Sequence, residues 1–388
     1  MSFRPYQSGV AASGIDHSRA MCFDPPVKLG VASALLDGSL VPGDVEIDEG
    51  RVVAVGLNGR PGRGIAAPGF VDLQVNGFGG VDFLTADNGA YGRAGEALVA
   101  TGVTAYQPTF ITSPEEQLVE ALREVPRDGA GPRVLGAHLE GPFIAPERLG
   151  SHPAASRRDP DRELLERLLE AGPVKHVTLA PELPGALELV DVLHAHGVTV
   201  SCGHSNATAE EARTAFAHGA RTVTHLFNAM RPLAPREPGL AGAALASGSV
   251  VVQVILDGVH LADDVVRLIW QSAAGRVALV TDAVAAAGAG DGTYTLGGVA
   301  LAVENGVARR ADGVLAGSTV TMIDAVRNLV ELGAPVAAAL SAASEVPARI
   351  AGRLELGTLA GGTPADIVVL GDDLEVERVL VRGVDALD

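Results

Sequence analysis

The chain has 388 residues, 47% hydrophobic and 20% charged, enough for a large core and for more than one ordinary domain. Acidic side chains outnumber Lys and Arg by 47 to 29, giving a formal net charge of −18. They are dispersed, which excludes nucleic acid as a partner and means that an anionic substrate needs a local cluster of Arg and His.

Residues 1–26 carry no period and are frequent in Gly, Ser and Pro, so a loose extension is expected there. Residues 27–66 read as part of a small sheet domain. Asp44-Val45-Glu46-Ile47-Asp48 alternates, Glu49-Gly50 turns, and Arg51–Val55 alternates back. At Pro68-Gly69 the rhythm changes, and short apolar runs alternate with helical stretches through residues 67–347. Eight runs qualify as strands: Phe70–Val75, Val103–Gln107, Val134–Leu139, Val177–Ala180, Thr199–Gly203, Thr222–Thr224, Val251–Leu256 and Ala278–Val280. Eight parallel units predict an α/β fold of the (β/α)8 barrel type. The rival, a doubly wound open sheet, lacks its glycine-rich nucleotide loop after the first strand. Tyr294–Leu315 reads as an inserted hairpin turning at Glu304-Asn305-Gly306. Over residues 348–388 the strand pattern returns, at Asp366–Leu370 and Val376–Val381, and these strands are expected to complete a β-sandwich begun by residues 27–66.

In such a barrel the chemistry sits at the C-terminal strand ends. Those ends carry Gln74 and Asn76, Glu140, His204, His225, Asp257 and His260, and Asp282. A carboxylate at the end of a buried strand is costly unless a positive group meets it. Glu140 with His204 and His225 makes one carboxylate and two imidazoles, a normal donor set for a zinc-like ion with positions left for water and substrate. Taken singly, His204 reads equally as a satisfied core histidine and Asp282 as a helix N-cap. Only two lysines occur, Lys28 and Lys175, and Lys175 precedes its strand, at the wrong end of the barrel to be a carbamylated ligand.

Six motifs in order give these residues a family context. They are Pro68-Gly69-Phe70-Val71-Asp72-Leu73-Gln74-Val75-Asn76-Gly77, His138-Leu139-Glu140-Gly141-Pro142-Phe143, Gly203-His204-Ser205-Asn206-Ala207, Thr224-His225-Leu226-Phe227-Asn228-Ala229-Met230, Leu279-Val280-Thr281-Asp282-Ala283 and Leu315-Ala316-Gly317-Ser318. Over roughly residues 27–388 the chain resembles the N-acetylglucosamine-6-phosphate deacetylases of the amidohydrolase superfamily. The resemblance implies a metal-dependent hydrolase of a phosphorylated N-acetyl amino sugar, with Glu140, His204 and His225 as ligands and Asp282 as acid and base. It implies substrate contacts from Ser151, His152, Asn228, Ala229, His260, Leu315, Ala316 and Gly317. It also implies a homodimer in which Arg236 reaches the neighbour's phosphate site; without the motif, Arg236 is an ordinary solvated loop residue.

Binuclear relatives carry His-x-His on the first strand, where this chain has Gln74 and Asn76. Amides are poor ligands, so those two residues make at most a weak second metal position. One divalent ion per chain is expected. Zinc suits the donors, and ferrous, manganous or cobaltous ions bind the same set. Alternatives are another N-acetylated sugar phosphate as substrate, such as the galactosamine epimer, or an inactive barrel that binds without turnover. Two cysteines, Cys22 and Cys202, and the absence of a secretory pattern or of an apolar stretch near about 18 residues lead to an expectation of a cytoplasmic protein away from membranes. His17, His176, His194, His196 and His218 are expected to be surface or packing residues, and Cys202 a core residue.

Overall fold

The computed structural model describes residues 26–58, 62–127 and 131–387. The expected N-terminal extension therefore lies, apart from Pro26, outside the described residues, as do Cys22 and His17. The eight apolar runs form parallel strands paired in sequence order: Phe70–Val75, Val103–Ile111, Ala137–Glu140, Val174–Leu179, Thr199–Cys202, Thr222–Val223, Val251–Val254 and Val277–Leu279. All six residues of the first strand are buried, so it does not alternate; helices cover one face and the barrel interior the other. The third run is interrupted: Arg133–Val134 pairs separately with the second strand, and the chain resumes at Ala137 after Gly136 turns at φ +93°.

The ring closes between its first and last strands. Val75 bridges Ala283, and the Asn76 amide donates to the Ala283 carbonyl at 2.8 Å. Beneath this seam the buried Asp72 accepts from Thr281 Oγ1 at 2.6 Å and from the Thr281 and Gln74 amides at 3.3 and 3.2 Å. Burial pushes the Asp72 carboxyl up to about 7 even against these donors.

Strands from both chain ends share one six-stranded sheet, ordered Val384–Asp385, Val376–Val381, Ile367–Leu370, Ile65–Pro68, Ser33–Leu36 and Ser39–Pro42. A second sheet joins Val27–Lys28, Asp44–Asp48 and Arg51–Leu57. Val45, Ile47 and Val52 of the small sheet pack with Ala66, Ile367 and Leu380 of the large one. Gly69 alone separates strand Ile65–Pro68 from the first barrel strand, so sandwich and barrel share a continuous backbone.

Two features depart from the sequence reading. The insertion has three antiparallel strands, Gly292–Leu296, Val299–Glu304 and Val307–Arg309, because Gly297 and Gly298, both at positive φ, supply a second tight turn. Helix Gly239–Ala246 escaped notice because its small apolar residues are buried nearly all round and leave no amphipathic stripe to read. Among the described residues no helix is long and apolar enough to cross a membrane.

The seam yields a stability prediction. Thr281→Val removes the shortest donor to the buried Asp72 while keeping the shape of the side chain. It should lower unfolding free energy by about 1–3 kcal/mol, as expected for a buried polar group deprived of a partner. Denaturant midpoints of the two proteins at neutral pH check it, and equal midpoints would remove the seam's hydrogen bond from the stability of the barrel.

Candidate metal centre

At the C-terminal end of the barrel one carboxylate is ringed by imidazoles. Glu140, closing the third strand, is 2% exposed. Its Oε1 lies 3.0 Å from His204 Nε2 and 2.9 Å from His225 Nε2, and those two nitrogens are 3.1 Å apart. Burial alone would raise the Glu140 pKa, but His152, His204 and His225 together hold it well below the usual carboxylate range. His225 is the converse case. Burial opposes its charged form, and the Glu140 carboxylate outweighs that and raises its pKa.

The local chain forces these side chains together. His204, His225 and Asp282 have φ of 46°, 29° and 50°, a left-handed region that side chains seldom occupy and that costs roughly 1–3 kcal/mol per residue. Neighbouring contacts hold them there. Gly203 lets the fifth strand end between Thr178 and Thr224, where a Cβ would meet side-chain carbons at 2.8 and 2.9 Å. Gly317 passes so close to Asp282 that a Cβ would sit 2.6 Å from its carbonyl oxygen, and the Ser318 amide donates to that oxygen at 2.9 Å. The loop after His204 is tied down by Glu182, which accepts from Ser205 Oγ at 2.7 Å and the Asn206 amide at 2.5 Å.

Hydrogen-bond partners decide which nitrogens can ligate. His204 Nδ1 is 2.8 Å from the Arg148 carbonyl and so carries the proton, which leaves Nε2 as a bare lone pair facing Glu140. His152 is the reverse. The Thr112 hydroxyl lies 2.8 Å from its Nδ1 and can act as donor or acceptor, but the Thr112 amide, 3.3 Å away, can only donate, which favours the neutral ring with its proton on Nε2, 3.7 Å from Glu140 Oε2. Glu140, His152 and His204 also offer atoms within 4.8 Å of one another, but a protonated Nε2 is a donor to an oxygen and not a ligand. The tighter set, Glu140, His204 and His225, is the one whose chemistry fits a cation: nitrogens 3.1 Å apart beside a carboxylate oxygen are best reconciled by a positive charge between them.

Asp282, 8% exposed, stands beside this set. Asn76 Nδ2 donates to its Oδ1 at 2.7 Å and Gln74 Nε2 donates to the same oxygen at 3.1 Å. Both amides thus turn their NH2 groups toward a carboxylate. Burial and the nearby Glu140 raise the Asp282 pKa to about 6 against the opposing pull of His225, His260 and the Asn76 bond.

Above the carboxylates opens a cavity of about 410 Å3. Of the remaining residues singled out by sequence, Ser151, His152, Asn228, Ala229, His260, Leu315 and Gly317 line it. His260 is fixed by Asp257, which accepts from its Nδ1 at 2.7 Å and from the Val259 and His260 amides at 2.9 Å. Three expected residues are not in the lining. Gln74 lies behind Asp282; Ala316 is fully buried with its amide committed to the Ala308 carbonyl at 3.1 Å; Arg236 is exposed on a loop. Ala316 therefore has no free amide to offer a ligand. Lys175 is exposed at the N-terminal end of the fourth strand, away from the mouth.

The cavity wall also carries Arg148 and Arg309, which sequence reasoning missed. Arg148 is held by Asn206 Oδ1 at 2.9 and 3.2 Å, and Arg309 Nη1 donates to the Gly313 carbonyl at 2.9 Å. Neither ends a barrel strand: Arg148 closes the short 3-10 helix Pro146–Arg148, and Arg309 closes the last strand of the insertion.

An amidohydrolase-family domain spans residues 65–384. The chain belongs to the amidohydrolase family. It is 40% identical to the N-acetylglucosamine-6-phosphate deacetylase of Homo sapiens over 83% of this chain and 83% of that one. It is 37% identical to the N-acetylgalactosamine-6-phosphate deacetylase of Escherichia coli O157:H7, over 82% of this chain and 87% of that one. Among solved structures it is similar to a variant of N-acetyl-D-glucosamine-6-phosphate deacetylase from Mycobacterium smegmatis in complex with N-acetyl-D-glucosamine-6-phosphate. There the TM-score is 0.89 and the identity 38%, over 94% of this chain and 100% of that one.

For this amidohydrolase the two overlapping donor sets separate experimentally. In protein purified without chelators, His204→Ala and His225→Ala should each lose the bound divalent ion, whereas His152→Ala should retain it. Elemental analysis reads the outcome, and an ion kept by His225→Ala but lost from His152→Ala would transfer the site to the other set.

Proposed function

We propose that the chain hydrolyses the acetamide of N-acetyl-D-glucosamine 6-phosphate to D-glucosamine 6-phosphate and acetate, with one divalent ion, zinc by preference, held by Glu140, His204 and His225. The observation that carries this reading is Asp282: a buried carboxyl with its pKa raised to about 6, oriented by two amides beside the donor set, in a cavity whose wall carries Arg148, Arg309 and His260. When bound, the ion supplies Lewis acidity and lowers the pKa of water. Asp282 takes a proton from the attacking water as its oxygen bonds to the acetamide carbon. It returns that proton to the departing nitrogen as the C–N bond breaks, leaving acetate and the free amine. His152, with its proton on Nε2, donates to the carbonyl oxygen that gains charge. Arg148, Arg309 and His260 bring donors to the phosphate end, where forked guanidinium groups suit a dianion.

Arg236 does not reach the cavity of its own chain and lies on an exposed loop beside Leu233, itself 46% exposed. Both facts suit a homodimer in which this loop packs on a second copy and Arg236 completes the partner's phosphate site. A cytoplasmic location is part of the same proposal. The Escherichia coli relative favours a second substrate, the galactosamine epimer. Steady-state assays of both 6-phosphates and both unphosphorylated sugars decide between them.

Three outcomes are expected. Asp282→Asn keeps a residue type that tolerates the left-handed backbone, so metal and substrate binding should persist while kcat falls about 10⁴-fold, the upper end for general acid–base catalysis. A variant that retains kcat within about tenfold would remove Asp282 from that role. Because the base must be deprotonated, kcat/KM should fall as pH drops through the Asp282 pKa. The bound ion lowers that value, which places the acidic limb at or below about 6. Arg236→Ala should raise KM for the 6-phosphate and leave the unphosphorylated sugar unaffected; a fully active monomer in light scattering would exclude the shared site.

A further inference from the structure

At the other end of the barrel lies a second cavity, of about 600 Å3. Arg133 in its wall begins the short run that leads into the third strand, and Glu140 ends that strand, so the two cavities open at opposite ends of the barrel. Four guanidinium groups line it: Arg127, Arg133, Arg353 and Arg382. Two carboxylates meet them. Asp366, 2% exposed, accepts from Arg133 Nε at 2.5 Å and Nη2 at 3.3 Å, and Glu355 accepts from Arg353 Nε at 2.6 Å. Arg382 Nη1 donates to the Gly131 carbonyl at 3.2 Å, a neutral partner, and the Arg127 side chain is exposed. Glu124 acts on Tyr91 electrostatically but does not line the cavity. Among the described residues the lining is therefore cationic, in a chain whose net charge is −18.

A further feature lies beside these groups. Gly92, in the interior of helix Asn88–Val99, opens onto the same space. Glycine there costs about 1 kcal/mol relative to alanine, yet a Cβ at this position would meet nothing within 4 Å. Packing does not demand this glycine; its effect is to leave the helix backbone bare at the cavity.

We propose that this cavity is a second binding site, for a small phosphate-bearing anion such as a phosphomonoester, separate from the catalytic mouth and independent of the function proposed above. Arg127 and Arg382, held by no carboxylate among the described residues, offer guanidinium donors that match phosphate oxygens, Arg133 and Arg353 frame the wall, and a concave site of this volume admits a phosphorylated small molecule.

The test uses the metal-loaded full chain with inorganic phosphate and glucose 6-phosphate as probes, at constant ionic strength. Hydrogen–deuterium exchange locates binding, and calorimetry measures its affinity. Protection should appear over residues 88–99 and 131–134. Gly92→Leu, which fills the cavity, should abolish that protection, and Arg127→Ala should weaken the affinity linked to it by about tenfold, the effect of one charged hydrogen bond. Both variants should keep wild-type kcat/KM. Tighter binding of glucose 6-phosphate than of phosphate assigns the site to a phosphomonoester, and equal binding to the free anion. No protection at millimolar concentrations of either probe, or protection unchanged in both variants, overturns the proposal, and neither result depends on which amide the mouth cleaves.

Discussion

The structure turns on one buried carboxylate. Glu140 is surrounded by protein at the end of a strand, where an unpaired negative charge would cost several kcal/mol. It stays ionised because His152, His204 and His225 converge on it from three other segments. That convergence requires a strand end and two left-handed turns, each disfavoured on its own. The barrel supplies rigidity: eight paired strands fix the starting points, and the loops after them have little freedom to relax. Local strain and a buried charge are thus tolerated together, because either one relaxing would expose the other's cost.

Closure of the barrel and the proposed chemistry use the same residues. Thr281 donates to Asp72 below the seam, and the next residue, Asp282, accepts from Gln74 and Asn76 above it. Residues two apart share one side of the first strand, and all three meet the last: Asp72 binds its backbone and hydroxyl, and the amides of Gln74 and Asn76 face its carboxylate. Amides at these positions change what the first strand contributes. Imidazoles would add two ligands, whereas Gln74 and Asn76 place hydrogen-bond donors around Asp282, the group proposed to hold and release a proton. Their own oxygens, Gln74 Oε1 and Asn76 Oδ1, are buried without a partner among the described residues, so each amide is held through its NH2 group alone.

Much of this was legible in the sequence, for a physical reason. Parallel strands buried on both faces leave uninterrupted apolar runs, and a barrel places chemistry at their C-terminal ends, so Glu140, His204, His225 and Asp282 could be found by position. The interior was not legible. His176, read as a surface or packing residue, is fully buried, stacked on His138 at 4.0 Å between ring centroids and bonded through Nδ1 to Gln107 at 3.0 Å. His138 Nε2 meets Thr178 Oγ1 at 2.8 Å, and Thr178 meets Thr224 Oγ1 at 2.7 Å. Polar residues on a strand look the same in sequence whether they face water or one another. Arg148 and Arg309 were missed because they lie outside the barrel strands, on a 3-10 turn and on the inserted sheet, where strand-end position says nothing about the mouth. That the Ala316 amide is already paired with the Ala308 carbonyl was hidden for the related reason that only the fold reveals which backbone amides are taken.

The same contrast bears on how so acidic a protein handles anions. Charge spread over the surface sets the long-range field, which repels a sugar phosphate and is screened beyond about 10 Å at ordinary ionic strength. Charge gathered in a cavity acts at contact distance, where water is excluded and each forked hydrogen bond strengthens. With only two lysines, the chain draws almost all its cationic groups from arginine, whose guanidinium keeps its proton when buried and orients its donors in a plane. Arg148 and Arg309 hold fixed positions in the mouth through bonds to neutral acceptors, Asn206 Oδ1 and the Gly313 carbonyl, and so keep their full charge for a ligand. Arg133, by contrast, is largely neutralised by Asp366 and contributes to the second cavity mainly as a scaffold. Whether an arginine can serve an anion is therefore set by what else holds it, and a neutral acceptor leaves it available where a carboxylate does not.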